Sequence, residues 1–460
     1  MTKEELMLKT PDEMIKEIRS QASTRKTKTY LDQYDPEKHK IYDLTVRPYR
    51  TVRQSKGGVE SDTLKDVTRL SIPFQKIIVD RAAAFLIGEG IKLISEVEEN
   101  NEAQKTMVEM VKKTWHDNKL DYKTRQLARV WMSETEVAEY WYFQESKTLW
   151  NTMNLGEYGK FKMRMQKWAA SNGDKLYPYY DEYGDMLAFA RSYKIDKKEY
   201  IDVLTDEKIQ TYRKDGTWTN IKDDNNPLKK IPVVYYPRDL PEWYDVQSLI
   251  ERFETMISNF ADQNDYFASP IILLKGNIQG FADKGDSGKM LQLEDDADAR
   301  YLTWDQAPEA IRTERDMLQE LIFSMTQTPD ISFMQMKGLG AMSGVALRLM
   351  FMDAKLKCMK HEEEFGEGIQ RRINLLKAGM ATINTKIESA TNMTITPEFQ
   401  FYMPRNDQEI INMLITATGN KQIMSQETAV ENNPFTVNTE REMEMIKDNE
   451  AGDFGSIMGE

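Results

Sequence analysis

The chain of 460 residues carries one cysteine, Cys358, and three histidines. A single cysteine excludes an intramolecular disulfide framework and a cysteine-based zinc site. No uninterrupted apolar run approaches the roughly 20 residues that cross a bilayer. The start, Met1-Thr2-Lys3-Glu4-Glu5, lacks the apolar region of a signal peptide. Positive charge is in deficit, 62 Lys+Arg against 75 Asp+Glu, for a net charge of −13 and a pI near 5.1. That balance argues against a simple polycation binder of nucleic acid. The expectation is a soluble, acidic protein made in the cytoplasm, with no membrane partner.

Several chemistries fail on spacing. A phosphate-cradling loop needs four residues between its glycines and Ser or Thr after the Lys. Gly285-Asp286-Ser287-Gly288-Lys289-Met290 has two, and Met follows. As Gly-Asp-Ser-Gly it looks like the surround of a trypsin-type nucleophile, which needs an upstream His and Asp. Only His39 and His116 precede it, so a Gly/Asp/Ser turn is the plainer reading. His361-Glu362-Glu363-Glu364-Phe365 has Phe where a zinc-protease helix needs its second His. In Gly338-Leu339-Gly340-Ala341-Met342-Ser343-Gly344 the third Gly falls one residue late for a dinucleotide fingerprint. The acids Glu294, Asp295, Asp296 and Asp298 could hold a divalent cation, although such runs are more often solvated surface. No nucleophile, base and oxyanion site assemble, so nothing supports an enzyme, a cofactor or a metal.

Hydrophobic residues make up 40% and charged residues 30%, enough for real cores. A mean hydropathy of −0.64 implies much solvated surface. At ~150 residues per domain the length gives about three domains, or one elongated body with lobes. Thr10-Pro11-Asp12-Glu13 reads as cap, Pro and first-turn acids of a short helix to Ser20. Residues 21–60 read as a loop or arm. Helices are predicted over 72–87 and 101–118, the second with Met107, Val108, Val111 and Trp115 on one face. Between 134 and 235 short β-rich runs (137–142, 187–191, 200–204, 208–212) separated by turn residues predict an α+β lobe.

The character then changes. From 242 to 268, Val246, Leu249, Ile250, Phe253, Met256, Ile257 and Phe260 recur at helical spacing. This predicts an acidic helix about 40 Å long. A second helix is predicted over 308–327, on Ile311, Leu318, Leu321, Ile322 and Met325. The intervening 269–307 read as a small β module. After a loop over 329–342, Ser343 is a plausible cap for a helical pattern reaching about Glu388, near 70 Å if straight. Gly366 and Gly368 are its kink points. That length fits an elongated subunit whose neighbours complete its core.

The order of parts resembles the portal proteins of tailed double-stranded-DNA bacteriophages, of siphophage type, over about 72–450. Ile78-Val79-Asp80-Arg81-Ala82-Ala83-Ala84-Phe85-Leu86-Ile87-Gly88 is similar to the family's early wing helix. Ile231-Pro232-Val233-Val234-Tyr235-Tyr236 before the acidic helix looks like its lead-in to the stem. Ser343-Gly344-Val345-Ala346-Leu347 is similar to the Ser-Gly-x-Ala-Leu start of its long helix. The resemblance implies an N-terminal arm or helix (1–60, weakly matched), an α+β wing (61–240) and a first stem helix (241–268). It continues with a clip (269–307), a second stem helix (308–328), a tunnel loop (329–342), a long kinked helix with wing strands (343–404), and a helical crown and tail (405–460).

The resemblance further implies a ring, usually a dodecamer, at one capsid vertex, through which DNA is packaged and ejected. Its partners would be terminase, the major capsid protein, a scaffold and a head-completion or adaptor protein. In the tunnel loop Met334, Gln335, Met336, Lys337, Gly338 and Gly340 would face DNA, with soft methionines and one cation; alternatively the methionines pack the loop on its neighbours. Glu251, Glu254, Asp262 and Asp265 would give an acidic channel lining on which DNA slides, or lie on the outer stem face or in inter-subunit pairs. Asp283, Lys284, Asp286, Lys289, Glu294, Asp295 and Asp296 are either a docking surface on the clip or a solvated turn. Two other readings stand beside this one: a virion connector or scaffold-type protein without a channel, and a metal-dependent nuclease using the 294–298 acids.

Overall fold

The structure, a computed structural model, describes residues 3–22, 25–56, 59–98, 100–145, 160–267, 272–275, 278–281, 291–293, 298–301, 307–329, 349–401, 407–419, 422–436 and 438–457. The chain divides into two compact units. The first holds residues 1–328 and 358–400; the second holds 329–357 and 401–460.

The first unit opens with α1 (Lys3–Met7) and α2 (Pro11–Ser20). At the start of α2 the Glu13 carboxylate accepts from both the Thr10 amide (3.2 Å) and the Thr10 hydroxyl (2.7 Å). These bonds hold Glu13 below its ordinary pKa. Helix α3 (Thr27–Tyr34) and two 3₁₀ turns follow, then a hairpin of β1 (Arg50–Lys56) and β2 (Val59–Lys65). Next come α4 (Phe74–Leu86), β3 (Ile91–Ser95), α5 (Glu102–Asp117) and α6 (Leu120–Glu134). The predicted face of α5, Met107, Val108, Val111 and Trp115, is buried. Nothing in the periodicity assigns 119–133, yet α6 lies there with Leu120, Leu127, Ala128, Trp131 and Met132 fully buried. Lys119 adopts a left-handed φ of 53° between α5 and α6, so the two helices abut without a glycine or proline to mark the break.

The β region contains β4 (Glu136–Glu145), β5 (Phe161–Trp168), β6 (Lys175–Tyr180), β7 (Met186–Ile195), β8 (Lys198–Leu204), β9 (Lys208–Asp215), β10 (Thr217–Asn225) and β11 (Val233–Pro237). Five strands form an antiparallel sheet in the order β10-β9-β8-β7-β6, and three form a second in the order β11-β4-β5. Successive side chains of a strand point to opposite faces, and β7 shows what this separates. Ala188 and Ala190 pack under Leu6, Met14, Ile15 and Ile18 of α1 and α2, with Ile201, Val203, Tyr212 and Trp218. Phe189, between them, joins Trp168, Leu204, Val233 and Tyr235 on the other face. The short helix predicted up to Ser20 is α2. Residues 3–20 are the apolar lid of the five-stranded sheet, and α3 occupies part of the expected loop.

Helix α7 (Gln247–Phe267) follows a 3₁₀ turn. On its predicted stripe Val246, Ile250, Phe253 and Met256 are buried, while Leu249, Ile257 and Phe260 are half-buried. Four short strands come next: β12 (Ile272–Lys275), β13 (Ile278–Phe281), β14 (Leu291–Leu293) and β15 (Asp298–Tyr301). β12 pairs with β15 and β13 with β14, both antiparallel. Helix α8 (Ala307–Met325) then packs on α7. Its predicted stripe is split: Leu318 and Ile322 are buried with Phe323, but Leu321 and Met325 are exposed.

The long helix α9 runs over Met352–Ile383, not to Glu388; Asn384 stops it by accepting the Lys386 amide at 3.2 Å and starting a 3₁₀ turn. The helix is unbroken at Gly366 and Gly368. A Cβ at 368 would lie 2.1 Å from the Tyr236 ring, so this glycine serves close approach rather than a break in the helix. Alanine ordinarily stabilises a helix relative to glycine by ~0.5–1 kcal/mol, but overpacking costs about 1–3 kcal/mol. Gly368→Ala should therefore lower stability by about 1–2 kcal/mol in denaturant titration; an unchanged or raised midpoint would refute the packing role. Strand β16 (Ile395–Phe399) returns to pair with β3.

The second unit contains α10 (Asp407–Thr418), α11 (Gln426–Glu431) and α12 (Thr439–Ile457), with α11 packing on both neighbours. Ala429 is its buried contact on α11.

Burial also raises tyrosine pKa values in the first unit. Desolvation pushes Tyr34 to about 12, helped by Asp80, and Tyr140 to about 12, helped by Asp202. A pKa raised above the unfolded value near 10 favours the neutral phenol in the fold. That stability is full below pH ~10 and is lost as pH rises through about 12. Unfolding midpoints should thus fall across this window, and the part of the phenolate absorbance that is missing in Tyr34→Phe and Tyr140→Phe variants should be the part that appears together with unfolding.

Candidate functional site

The expected channel acids lie on α7, where the sequence places Glu254, Ser258 and Asp262 four residues apart. Such spacing puts them on one helix face with a rise of about 6 Å per step. An extended chain advances about 6.6 Å per two residues, so every second amide of a strand can meet this row. Residues 68–72 do so. The Ile72 amide donates to Glu254 Oε1 at 2.8 Å, the Leu70 amide to Ser258 Oγ at 3.0 Å and the Thr68 amide to Asp262 Oδ1 at 2.8 Å. Segment 68–72 is a strap lying antiparallel on the helix.

Side chains from the preceding residues close the same face. His39 Nδ1 lies 2.6 Å from Glu254 Oε1, with both side chains buried. Lys40 meets Glu251 at 2.9 Å, and Arg47 meets Asp262 at 2.6 Å. Glu254 is 1% exposed. The channel-lining expectation is corrected there, because a desolvated carboxylate that accepts from His39 and Ile72 has no face toward solvent. Glu251 and Asp262 are held in ion pairs within the subunit. Asp265, in the last turn, is exposed and forms no ion pair among the described residues. Periodicity finds the apolar side of α7 but misses the strap; a polar row at spacing four beside an extended polar segment is the signal that could have found it.

The other face of α7 is apolar. Phe253 and Phe323 of α8 both meet the Phe74 ring edge-on, at 5.1 and 5.8 Å. Arg252 bridges to Glu314 of α8 at 2.8 Å. The upper end is fixed by Trp243, fully buried, stacked on Tyr34 at 5.5 Å and donating to Gln33. The first half of the helix is therefore held on two faces, with Ser248 and Arg252 left exposed between them, and residues 263–266 emerge exposed.

Behind this clamp, a buried polar network joins α6, β4, β11 and α9. Arg372 and Glu139 are both 0% exposed. The guanidinium Nε lies 3.0 Å from both Glu139 oxygens, and a second nitrogen also contacts the carboxylate. Its remaining nitrogen donates to Thr124 Oγ1 at 2.8 Å. Tyr236 OH and Trp141 Nε1 donate to the same carboxylate at 2.7 and 3.0 Å. Burial pushes the Tyr236 phenol well above its ordinary pKa, which keeps it a donor. Charge, hydrogen bonds and geometry are thus satisfied inside the fold, with no vacant coordination or attacking group. Sequence spacing gave no hint of this set, since its members lie up to 248 residues apart.

Met334, Gln335, Met336, Lys337, Gly338 and Gly340 lie outside the described residues, as do Asp283, Lys284, Asp286, Lys289, Glu294, Asp295 and Asp296. Among the described residues, no three His, Cys, Asp or Glu side chains converge as a metal site, and no helix is long and apolar enough to cross a membrane.

Comparison with solved structures finds the neck of a native gene transfer agent particle computed with C12 symmetry, at 10% identity and a TM-score of 0.44, covering 90% of this chain and 96% of the other. The neck of the empty particle computed with C6 symmetry matches at 10% identity and 0.43, covering 77% and 86%. Among curated proteins, the portal protein of Bacillus phage SPP1 is 22% identical over 440 residues, covering 89% of this chain and 81% of the relative. The profile of the family described as phage portal protein, SPP1 Gp6-like, matches residues 17–453 and so includes α3 and the strap. With almost its whole length matched, the chain belongs to the SPP1 Gp6-like family of phage portal proteins, non-enzymatic structural components of the virion.

Proposed function

We propose that copies of this chain close into a ring, a dodecamer in the virion, at one capsid vertex. The ring's channel passes double-stranded DNA during packaging and ejection. The same ring docks terminase during filling and a head-completion or adaptor protein and tail afterwards, with the major capsid protein and scaffold around it. The observation that carries this reading beyond family membership is an uncovered apolar stripe on α8. Met317, Leu321 and Met325, four residues apart, are 54%, 40% and 55% exposed. Residues at that spacing share one helix face, and a contiguous exposed apolar face marks an interaction surface. A neighbouring copy is the partner this reading supplies.

In that ring 241–268 and 308–328 form the stem, 269–307 the clip, 329–342 the tunnel loop and 405–460 the crown. Asp265 is the acid left to face the channel or the stem exterior. Asp283, Lys284, Asp286, Lys289 and Glu294 to Asp296 belong to the clip surface offered to docking proteins. Electron microscopy of the purified chain, with native mass as a cross-check, tests the ring. A closed ring with a hole wide enough for a duplex of about 20 Å supports it. Monomers at every salt would favour a connector without a channel. In the tunnel loop, Met334, Gln335, Met336, Lys337, Gly338 and Gly340 meet passing DNA. Lys337→Glu should leave rings intact and cut packaged DNA by about tenfold or more, because a like charge replaces the one transient phosphate contact. Normal packaging by that variant would remove the loop from the mechanism.

A further inference from the structure

The first unit holds a cleft of about 810 Å³ between the 226–230 turn and α9. Its floor is apolar: Ile231 and Leu375 are buried, and Met186 and Leu187 half-buried. Its rim is basic. Lys229, Lys230 and Arg371 are exposed there, and none has a carboxylate partner among the described residues. Arg371 Nε donates only to the Val233 carbonyl, at 3.2 Å. The other charges at the rim are two acids, Glu367, exposed one turn before Arg371, and Asp206, together with Lys3, which pairs with Asp206 and with Glu207 at 2.8 Å. With Asp206 taken by Lys3, three cations without a carboxylate partner face one remaining acid, Glu367, in a chain with net charge −13.

The cations are also held in place. Lys229 adopts a left-handed φ of 49°, a conformation rare outside glycine and worth attention when it occurs. The turn is pinned by Asn226, whose side chain donates to the carbonyls of Thr205 and Lys230 at 2.8 Å each and accepts the Leu228 amide at 3.1 Å. The two lysines are therefore presented from a rigid turn rather than a free loop.

We propose that this cleft binds an acidic, amphipathic peptide segment of a partner protein. An extended peptide alternating apolar and acidic residues turns one set of side chains to the floor and the other to the rim. DNA is the poorer fit. A sugar-phosphate backbone leaves the apolar floor unfilled, and a long polyanion is repelled by the rest of the chain. A short segment feels mainly the cations within about 10 Å. The inference does not rest on the channel reading.

The test uses the full chain and a fluorescein-labelled peptide of about ten residues, alternating Glu and Leu. A Lys/Leu peptide and a labelled duplex serve as comparison probes, all read by anisotropy. The Glu/Leu peptide should bind and the Lys/Leu peptide should not. The affinity should fall between about 0.05 and 0.2 M salt. The double variant Lys230→Glu with Arg371→Glu should weaken binding by at least about tenfold, with circular dichroism and native mass unchanged. Affinity unchanged in that variant would overturn the proposal, as would binding of the duplex through these residues while the peptide fails to bind. If the double variant misfolds, Lys230→Gln alone reads the same contact, with an expected loss of about threefold.

Discussion

Arg372→Met should lower the stability of the first unit by about 3–5 kcal/mol, the cost of removing one partner of a buried ion pair. The Glu139 carboxylate would remain, fully buried, with Tyr236 and Trp141 as donors but no cation. Thr124 would lose its guanidinium contact. A thermal midpoint lower by about 4–6 °C follows for a unit of this size. The pairing can be separated from packing by a second substitution. Glu139→Gln in the Arg372→Met background removes the stranded charge and keeps one acceptor for Trp141, while its NH2 can donate to the Tyr236 hydroxyl oxygen, so more than half of the loss should return. Calorimetry of the two variants decides the matter. A loss below about 1 kcal/mol in the single variant, or no recovery in the double, would show that the network does not hold α9 to the sheet.

Glu254→Ala should be nearly as costly, about 2–5 kcal/mol, because two buried donors lose their acceptor at ~1–3 kcal/mol each. One is the His39 ring and the other is the Ile72 amide. The effect should also be local. The strap hangs on three amides, so hydrogen exchange at Ile72 should accelerate most and at Leu70 and Thr68 less, while α5 stays protected. Glu254→Gln retains one oxygen toward Ile72 and should lose less than half as much. Uniform protection of the strap in Glu254→Ala would mean that Ser258 and Asp262 suffice to hold it. If the acid instead faced a channel, either substitution would leave folding untouched and alter only DNA passage; the stability measurement separates the two roles.

Much of the architecture was legible because periodicity survives in a single sequence. The α5 face, the α7 stripe and strands β4, β7, β8 and β9 follow from apolar spacing and turn residues. The helix α6 was not, since Lys119 makes its boundary through a backbone conformation that its side chain does not advertise. On α8, spacing could not tell a core stripe from a surface one: Leu321 and Ile322 are equally apolar, yet one is exposed and the other buried. Gly368 shows the same limit. A glycine in a helical pattern reads as a weak point, whereas its partner, Tyr236, lies 132 positions earlier in the chain and makes the lack of a Cβ a packing requirement.

What the sequence by itself determined is the kind of protein. Its apolar periodicities, its turn residues and the order of its helices and strands pointed to the portal family. Those properties are local or compositional, so no fold is needed to read them. Only the tertiary structure decided what individual polar residues do. Glu254 and Asp262 read as free charges along one helix, yet they anchor residues 39–72, some 182 to 215 positions away. Residues 10–20 read only as a short helix, yet with α1 they cover a sheet that begins more than 150 residues later. A carboxylate's function depends on which donor lies within about 3 Å and on how much water remains. Both are set by chain segments that sequence spacing does not connect.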